Sequence, residues 1–215
     1  MNNTTILDPW LSIWNKPRQT IREIWHIHGN KYDFQLSAIA GIVHMLSWSA
    51  DKNLADHFSL FEILLICILG GPLYGFIFLH AFSYTISTLG LLFGGKGQKP
   101  QVQSAIAWAS IPFIWSLVFW IPAVIIWGEK CFSRQYVVNT DNALLVVPAL
   151  LFAGLAIYYL IKCIYVFIQS IAEAHAFSTI KSVVTILVSL CLITLAAILI
   201  MIPFALYLGT YLNLF

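Results

Sequence analysis

The sequence predicts an all-α polytopic membrane protein in which five transmembrane helices follow a short N-terminal segment. Of the 215 residues, 60% are hydrophobic and 9% are charged, whereas an ordinary soluble domain is roughly 25% charged. Several apolar runs lack any charge, and runs longer than about 18 apolar residues are typical of membrane spans. A soluble fold of this length could not remove so much apolar surface from water. We therefore expect a single domain embedded in a bilayer.

The N-terminal segment, residues 1–33, is polar and aromatic. A helix is expected to begin at Pro17, because proline is tolerated in the first turn of a helix. Apolar side chains recur after it at helical spacing, and Arg18 and Arg22 share the adjoining face. This amphipathic pattern predicts an interfacial helix that lies flat in the headgroup layer, and the alternative is a cap that packs on the membrane domain.

The rest of the chain, residues 34–215, contains five apolar stretches that we expect to be the membrane spans. They cover about residues 34–50, 60–93, 105–127, 144–171 and 180–208. The second stretch is longer than a bilayer requires, so it is expected to tilt or to project beyond the hydrocarbon. A helix break is predicted within it at Gly70, Gly71 and Pro72, because an internal proline removes a backbone hydrogen bond and glycine eases bending.

The basic residues predict the orientation of the chain. Seven lie on the side of the N-terminus: Lys16, Arg18, Arg22, Lys31, Lys96, Lys99 and Lys181. Three lie on the opposite side: Lys52, Lys130 and Arg134. Because cytoplasmic loops are enriched in lysine and arginine, we expect the N-terminus on the cytoplasmic side of the membrane and the C-terminus on its outer side. The membrane is expected to be the cell (inner) membrane.

The stretch from Gly90 to Gly97 is close to a phosphate-binding loop, in which glycine amides and a lysine hold a nucleotide. Glycine stands where that loop needs a serine or threonine for magnesium, and the stretch follows a predicted span instead of a strand. We therefore expect a turn that ends a helix, with glycine in a left-handed cap. Lipid phosphates are candidate ligands of four basic residues on this side: Arg18, Arg22, Lys96 and Lys99.

Ionisable side chains inside or beside the apolar stretches suggest a polar pocket, because a charge left in hydrocarbon is unfavourable. The candidate pocket lies between the second, fourth and fifth spans and opens to the cytoplasm. Its residues are His80, Lys162, Gln169, Glu173 and His175. A histidine there would titrate near neutral pH and could couple occupancy of the pocket to protons. The alternatives are that Lys162 extends to the membrane interface and that His80 is hydrogen-bonded to a neighbouring helix.

The sequence lacks the signatures of catalysis and of cofactor binding. It contains no nucleophile elbow, no zinc-protease helix and no pair of aspartates inside the apolar stretches. The four cysteines are scattered without the spacing of a metal site: Cys67, Cys131, Cys163 and Cys191. The formal net charge of +2, without a basic stripe, argues against a nucleic-acid partner. We expect a non-enzymatic protein with no metal and no cofactor.

Several motifs resemble, in their order along the chain, those of one known family. They are WLSIWNKPRQTIREI near the N-terminus, then GGPLYG, GGKGQ, AIAWASIPFIW and SIAEAHAFSTIKS. Together they resemble the Yip domain of the Ypt-interacting (Yip-one) family over nearly the whole chain, and Gly71 and Pro72 match its GPL element. The chain resembles a compact prokaryotic-type member, which lacks the long cytosolic N-terminal extension of eukaryotic members.

This resemblance implies five spans and, from the eukaryotic members, a role as a Rab-like GTPase adaptor in membrane traffic. Because the compact form lacks the extension, we favour membrane organisation, with lipids or partner proteins bound at the cytoplasmic face and with a homo-oligomer as one form. The main alternative is a small-solute or lipid transporter that uses the polar pocket.

Overall fold

The computed structural model describes residues 8–134 and 143–211, with side chains described at 8–134, 157–204 and 207. Within these ranges the regular structure is entirely helical, as predicted. The helices are α1 (Pro9–Ser12), α2 (Pro17–His28), α3 (Asp33–Asp51), α4 (Leu60–Leu92), α5 (Lys99–Ala109), α6 (Ile111–Ile114), α7 (Leu117–Trp127), α8 (Ala143–His175) and α9 (Thr179–Tyr211). Short 3₁₀ turns lie at Leu54–Asp56 and Gly128–Phe132. The helix predicted to begin at Pro17 is α2.

Fewer helices than predicted have the length and composition of a membrane span. In the described part of the chain, three segments meet both criteria: Leu60–Leu92, Ile157–His175 and Thr179–Phe204. A fourth is obtained if Lys99–Ile114 and Leu117–Phe132, which bend by 42° at a short break, form one span. Helix α3 is not among them, because Gln35, His44 and several serines dilute its apolar residues.

Helix α4 is continuous through Gly70, Gly71 and Pro72, so the predicted break does not interrupt it. The glycines instead allow α3 and α4 to approach closely. A Cβ atom on Gly41 of α3 would overlap the carbonyl oxygen of Gly71, and one on Gly75 would overlap the carbonyl oxygen of Ser37. Small residues spaced by four are the usual means by which membrane helices bring their backbones into contact.

The segment after α4 changes direction at a helix cap and again within the third apolar stretch. Helix α4 ends before Gly94, whose φ of 83° is the left-handed conformation predicted for a cap. Farther along, Ser110 and Ser116 each donate a side-chain hydrogen bond to a carbonyl three residues earlier, at 2.6 and 2.7 Å. Such bonds compete with the helical ladder and accompany bends. The break between α6 and α7 lies here.

Two apolar cores hold the helices together. The smaller core includes Leu46, Ile63, Cys67 and Phe132 and lies toward the α3–α4 connection. The larger core joins α2, α5 and the second half of α8 through Ile21, Ile24, Val102, Ala105, Val166 and Ile171. It lies at the end of the bundle that carries the loop after α4, residues 94–98 (the glycine loop), and the α8–α9 turn. We refer to this end as the loop end.

Candidate functional site

Helix α2 is fastened to the loop end by arginine side chains. All three guanidinium nitrogens of Arg18 donate hydrogen bonds: Nε to Gln169 Oε1 at 2.5 Å, Nη1 to the Phe177 carbonyl at 3.2 Å and Nη2 to Thr179 Oγ1 at 3.1 Å. These bonds tie α2 to both α8 and α9, so Arg18 serves as a structural clamp.

One turn farther along α2, Arg22 Nε lies 2.7 Å from Glu173 Oε1 of α8. The Arg18–Gln169 and Arg22–Glu173 pairs are both spaced by four residues, so α2 runs beside the end of α8 for at least one turn. These contacts favour the alternative, a cap packed on the bundle, over the predicted interfacial helix.

Lys162 and His80 lie apart from the arginine contacts. The Lys162 ammonium is 3.5 Å from the Trp14 carbonyl and 5.9 and 5.8 Å from the ring centres of Tyr158 and Tyr165. His80 Nδ1 is 2.9 Å from the Phe76 carbonyl, one turn earlier on the same helix. Among the described residues, no hydrogen bond or ion pair joins either side chain to Gln169, Glu173 or His175. The predicted set is therefore not one pocket, because His80 and Lys162 each lie apart from the other three residues.

His175, at the end of α8, is 1% exposed and is enclosed by glycines. A Cβ atom on Gly90 would overlap the imidazole ring, and one on Gly95 or Gly97 would lie 2.7 or 2.9 Å from its Nδ1.

The other contacts of His175 come from Lys96 and Phe177. The backbone amide of Lys96 donates to the His175 carbonyl at 3.1 Å, and Phe177 stacks on the ring with centres 5.1 Å apart. Neither ring nitrogen makes a hydrogen bond of normal geometry to any described residue, although the Ile86 carbonyl faces the ring. The glycine loop thus closes over a buried histidine.

Asp33, the first residue of α3, was not among the predicted site residues. It is 2% exposed, and within the part of the chain that the structure describes neither carboxylate oxygen has a hydrogen bond of normal geometry. Burial raises the pKa of Asp33 to about 7, and the nearby Ser104 hydroxyl offsets part of that rise. The Ser104 hydroxyl itself donates to the Gly29 carbonyl at 2.9 Å. A carboxyl with this pKa changes its charge near neutral pH.

A cavity of about 560 Å³ lies between α3, α4, α5, α6, α8 and α9. Its wall is almost wholly apolar, with Phe78, Phe82 and Phe167 among the largest contributors. Ser110 and His44 are among the few polar side chains of the wall. Ser110 bonds to its own helix, and the His44 ring stacks on Tyr74 with centres 4.3 Å apart. The volume lies in the range of small-molecule sites, about 300–1,000 Å³.

None of the five predicted pocket residues lines this cavity, although three of their chain neighbours do: Leu79, Cys163 and Ile168. A one-residue step turns a helix by about 100°, so the polar and the apolar features occupy different faces of α4 and α8. The spacing of Gly71 and Gly75 is a small-residue motif that could have indicated the close α3–α4 contact from sequence.

These features define a helical membrane protein whose N-terminal helix packs against one end of the bundle and whose helices line an apolar cavity. A model of the Yip1 domain matches residues 11–202, and the chain therefore belongs to the Yip1 domain family, as its motifs indicate. No curated protein and no solved structure matches the chain.

Proposed function

We propose that this chain is a five-span, non-enzymatic protein of the cell (inner) membrane that binds anionic lipids at its cytoplasmic face. The observation that carries the proposal is a group of exposed lysines around the loop end: Lys96, Lys99 and Lys181. Helix α3 would be the additional span. The predicted span within it, residues 34–50, gives about 26 Å at 1.5 Å per residue, close to the roughly 30 Å of bilayer hydrocarbon.

The three lysines belong to segments that are in direct contact. Lys96 lies in the glycine loop, and its amide bonds to the His175 carbonyl, just before the α8–α9 turn. The Lys99 ammonium lies 5.8 Å from the Tyr84 ring centre, and that of Lys181 lies 5.6 Å from the Phe177 ring centre. An exposed cation beside a tyrosine ring, as at Lys99, suits the interface between headgroups and hydrocarbon.

The two arginines predicted to contact lipid phosphates have different roles in this proposal. Arg18 is occupied by Gln169, Phe177 and Thr179, so its contribution is structural. The Arg22 side chain is 63% exposed while it contacts Glu173, so its outer edge is accessible to a headgroup. The apolar wall of the cavity favours a lipid over a polar solute as ligand, which makes lipid binding better supported than solute transport.

The proposal is tested by lipid retention. The variant K96Q/K99Q/K181Q and the native chain would be purified from membranes that contain phosphatidylglycerol and phosphatidylethanolamine, and the lipids that remain bound would be measured by native mass spectrometry. Because each basic residue near an anionic surface contributes about 1 kcal/mol, enrichment of phosphatidylglycerol should fall about fivefold for each lysine removed.

The matched control is K52Q/K130Q/R134Q, which removes the same number of charges from the opposite side of the predicted topology. This control should keep the native enrichment of phosphatidylglycerol. If both variants lost the enrichment of phosphatidylglycerol equally, the net charge of the protein would explain the binding. That result would contradict a lipid-binding face on the cytoplasmic side.

A further inference from the structure

We infer that the internal cavity is a binding site for one acyl chain of a phospholipid, which enters sideways from the leaflet at the loop end. The inference rests on the proposed function for the class of lipid and extends it to a site inside the bundle. It is carried by the position of the cavity, the nature of its wall and the place where it reaches the surface.

The cavity occupies one half of the bundle. On α9 its lining begins at Val183, four residues after the helix starts, and on α4 it extends back to Tyr74, eighteen residues before the helix ends. At 1.5 Å per residue, these positions lie between about 6 and 27 Å from the loop end. The hydrocarbon of one leaflet is about 15 Å deep, so a cavity of this length begins in the leaflet at the loop end and reaches past the middle of the bilayer.

The cavity reaches the outer surface of the bundle along α8 and α9. Two lining side chains, Ile164 and Leu187, are 52% and 55% exposed. In a bilayer, the molecules beside these residues are lipid tails. An apolar chain can thus pass from the surrounding lipid into the cavity without crossing water.

A charged residue stands at the loop end of the same face of α9. Lys181, Val184 and Leu187 are exposed and follow each other at three-residue spacing, so each side chain is a neighbour of the next and the series turns by about 120° around the helix. A phospholipid whose phosphate meets Lys181 would have its chains beside Val184 and Leu187. This order of groups matches an anionic headgroup above an acyl chain, whereas a free hydrocarbon would make no use of the lysine.

Photolabelling of residues on the inner wall of the cavity distinguishes a bound acyl chain from the surrounding lipid. Leu79 and Ile106 line the cavity and are 2% and 4% exposed, so lipids that merely surround the protein do not reach them. Phosphatidylglycerol with a diazirine at the end of one acyl chain would be reconstituted with the full chain, illuminated, and mapped by mass spectrometry of peptides. We expect label at Leu79 and Ile106 in addition to label on exposed residues such as Ile125.

Variants separate cavity binding from general lipid contact. Ala40→Phe places a ring in the cavity and should abolish the label at Leu79 and Ile106 while the label at Ile125 is unchanged. Ala81→Phe is the matched control, because Ala81 does not line the cavity, and it should label as the native chain does. Val183→Phe obstructs the cavity from the opposite wall and provides the same test if Ala40→Phe does not fold.

Label confined to exposed residues would overturn the inference. Equal inner labelling by a diazirine fatty acid that lacks a phosphate would overturn the assignment to phospholipid. Equal inner labelling by phosphatidylglycerol and phosphatidylethanolamine probes would count against the headgroup preference of the proposed function and would still support the acyl-chain site. The two proposals can therefore fail independently.

Discussion

The two sides of the cavity are built in opposite ways. On one side, α3 and α4 touch through backbone atoms, because Gly41, Gly71 and Gly75 have no side chains to separate them. On the other side, α8 and α9 present large apolar side chains such as Phe167 and Ile186 and leave about 560 Å³ between the helices. Gly41 and Gly75 belong to both regions, since they line the cavity from the tightly packed side.

This difference assigns separate roles to the two helix pairs. A backbone contact cannot be widened or compressed without a large change in energy, so α3 and α4 form a fixed wall. Side chains in the loosely packed region can change rotamer, so α8 and α9 form the wall that accommodates a ligand. The comparison predicts that added volume destabilises the first region and is tolerated in the second.

The largest expected effect comes from neighbouring glycines. Gly71→Ala would bring a Cβ atom within 2.6 Å of Ile42 Cα, whereas Gly70→Ala meets only the flexible end of Met45 at 3.8 Å. We expect Gly71→Ala to lower the free energy of unfolding by about 3 kcal/mol. Gly70→Ala should be neutral or raise it by up to about 1 kcal/mol, because alanine favours the helix. Thermal unfolding in detergent, followed by circular dichroism, would compare the two, and equal stabilities would contradict the fixed wall.

Asp33 offers a pH test at the end of the same wall. Its pKa is raised to about 7 in the folded chain from 3.8, so its unfavourable contribution is absent below pH 4 and develops as the pH rises toward 7. The full pKa shift corresponds to about 4 kcal/mol, and relaxation of the surroundings around the charge reduces this penalty. Asp33→Asn should therefore match the native stability near pH 4 and exceed it at pH 8 by on the order of 2 kcal/mol. Unfolding measured at both pH values checks this. A stability difference that does not change with pH would show that Asp33 is not buried as a lone carboxyl.

Substitution of Arg18 tests how α8 and α9, the loosely packed helices, are held together with α2. Arg18→Ala removes three hydrogen bonds that tie α2 to α8 and α9, and we expect a loss of about 1.5 kcal/mol in stability. Arg22→Ala should have a smaller effect, because its contact with Glu173 is largely exposed to solvent. Thermal unfolding of both variants would measure the order, and a greater loss for Arg22→Ala would reverse the assignment of Arg18 as the clamp.

The smallest effect is expected inside the loosely packed region. Val183→Phe adds a ring to a position that already lines the cavity, so the new volume enters existing space. The free energy of unfolding should change by less than about 1 kcal/mol, in contrast to the methyl group added at Gly71. A loss as large as that of Gly71→Ala would mean that the cavity is not available to added atoms.

The sequence predicted the features that depend on local chemistry. The start of α2 at Pro17, the start of α4 at Leu60 and the left-handed cap at Gly94 follow from proline, apolar composition and glycine in their immediate surroundings. The break at Pro72 was expected from the same local rule, yet α4 continues through it. The backbone contacts of Gly71 and Gly75 with α3 lie on this stretch, and they depend on residues distant in sequence.

The site could be predicted only in part, because it depends on which helix faces meet. The prediction was based on ionisable side chains within apolar stretches, and it therefore named His80 and Lys162. Their neighbours Leu79 and Cys163 line the cavity, but apolar residues in an apolar stretch give no such signal. The burial of Asp33 depends on the packing of Ser104 from α5 and has no sequence signal of its own. Space between helices is a property of their arrangement, and composition does not encode it.

The most direct test of the account is an experimental structure of the chain in a lipid nanodisc that contains phosphatidylglycerol. The account predicts an elongated density between the α3–α4 pair and the α8–α9 pair, open to the bilayer beside Ile164 and Leu187 and continuous with a headgroup near Lys181. Helices α8 and α9 packed directly against α3 and α4, with no space and no density between them, would contradict it.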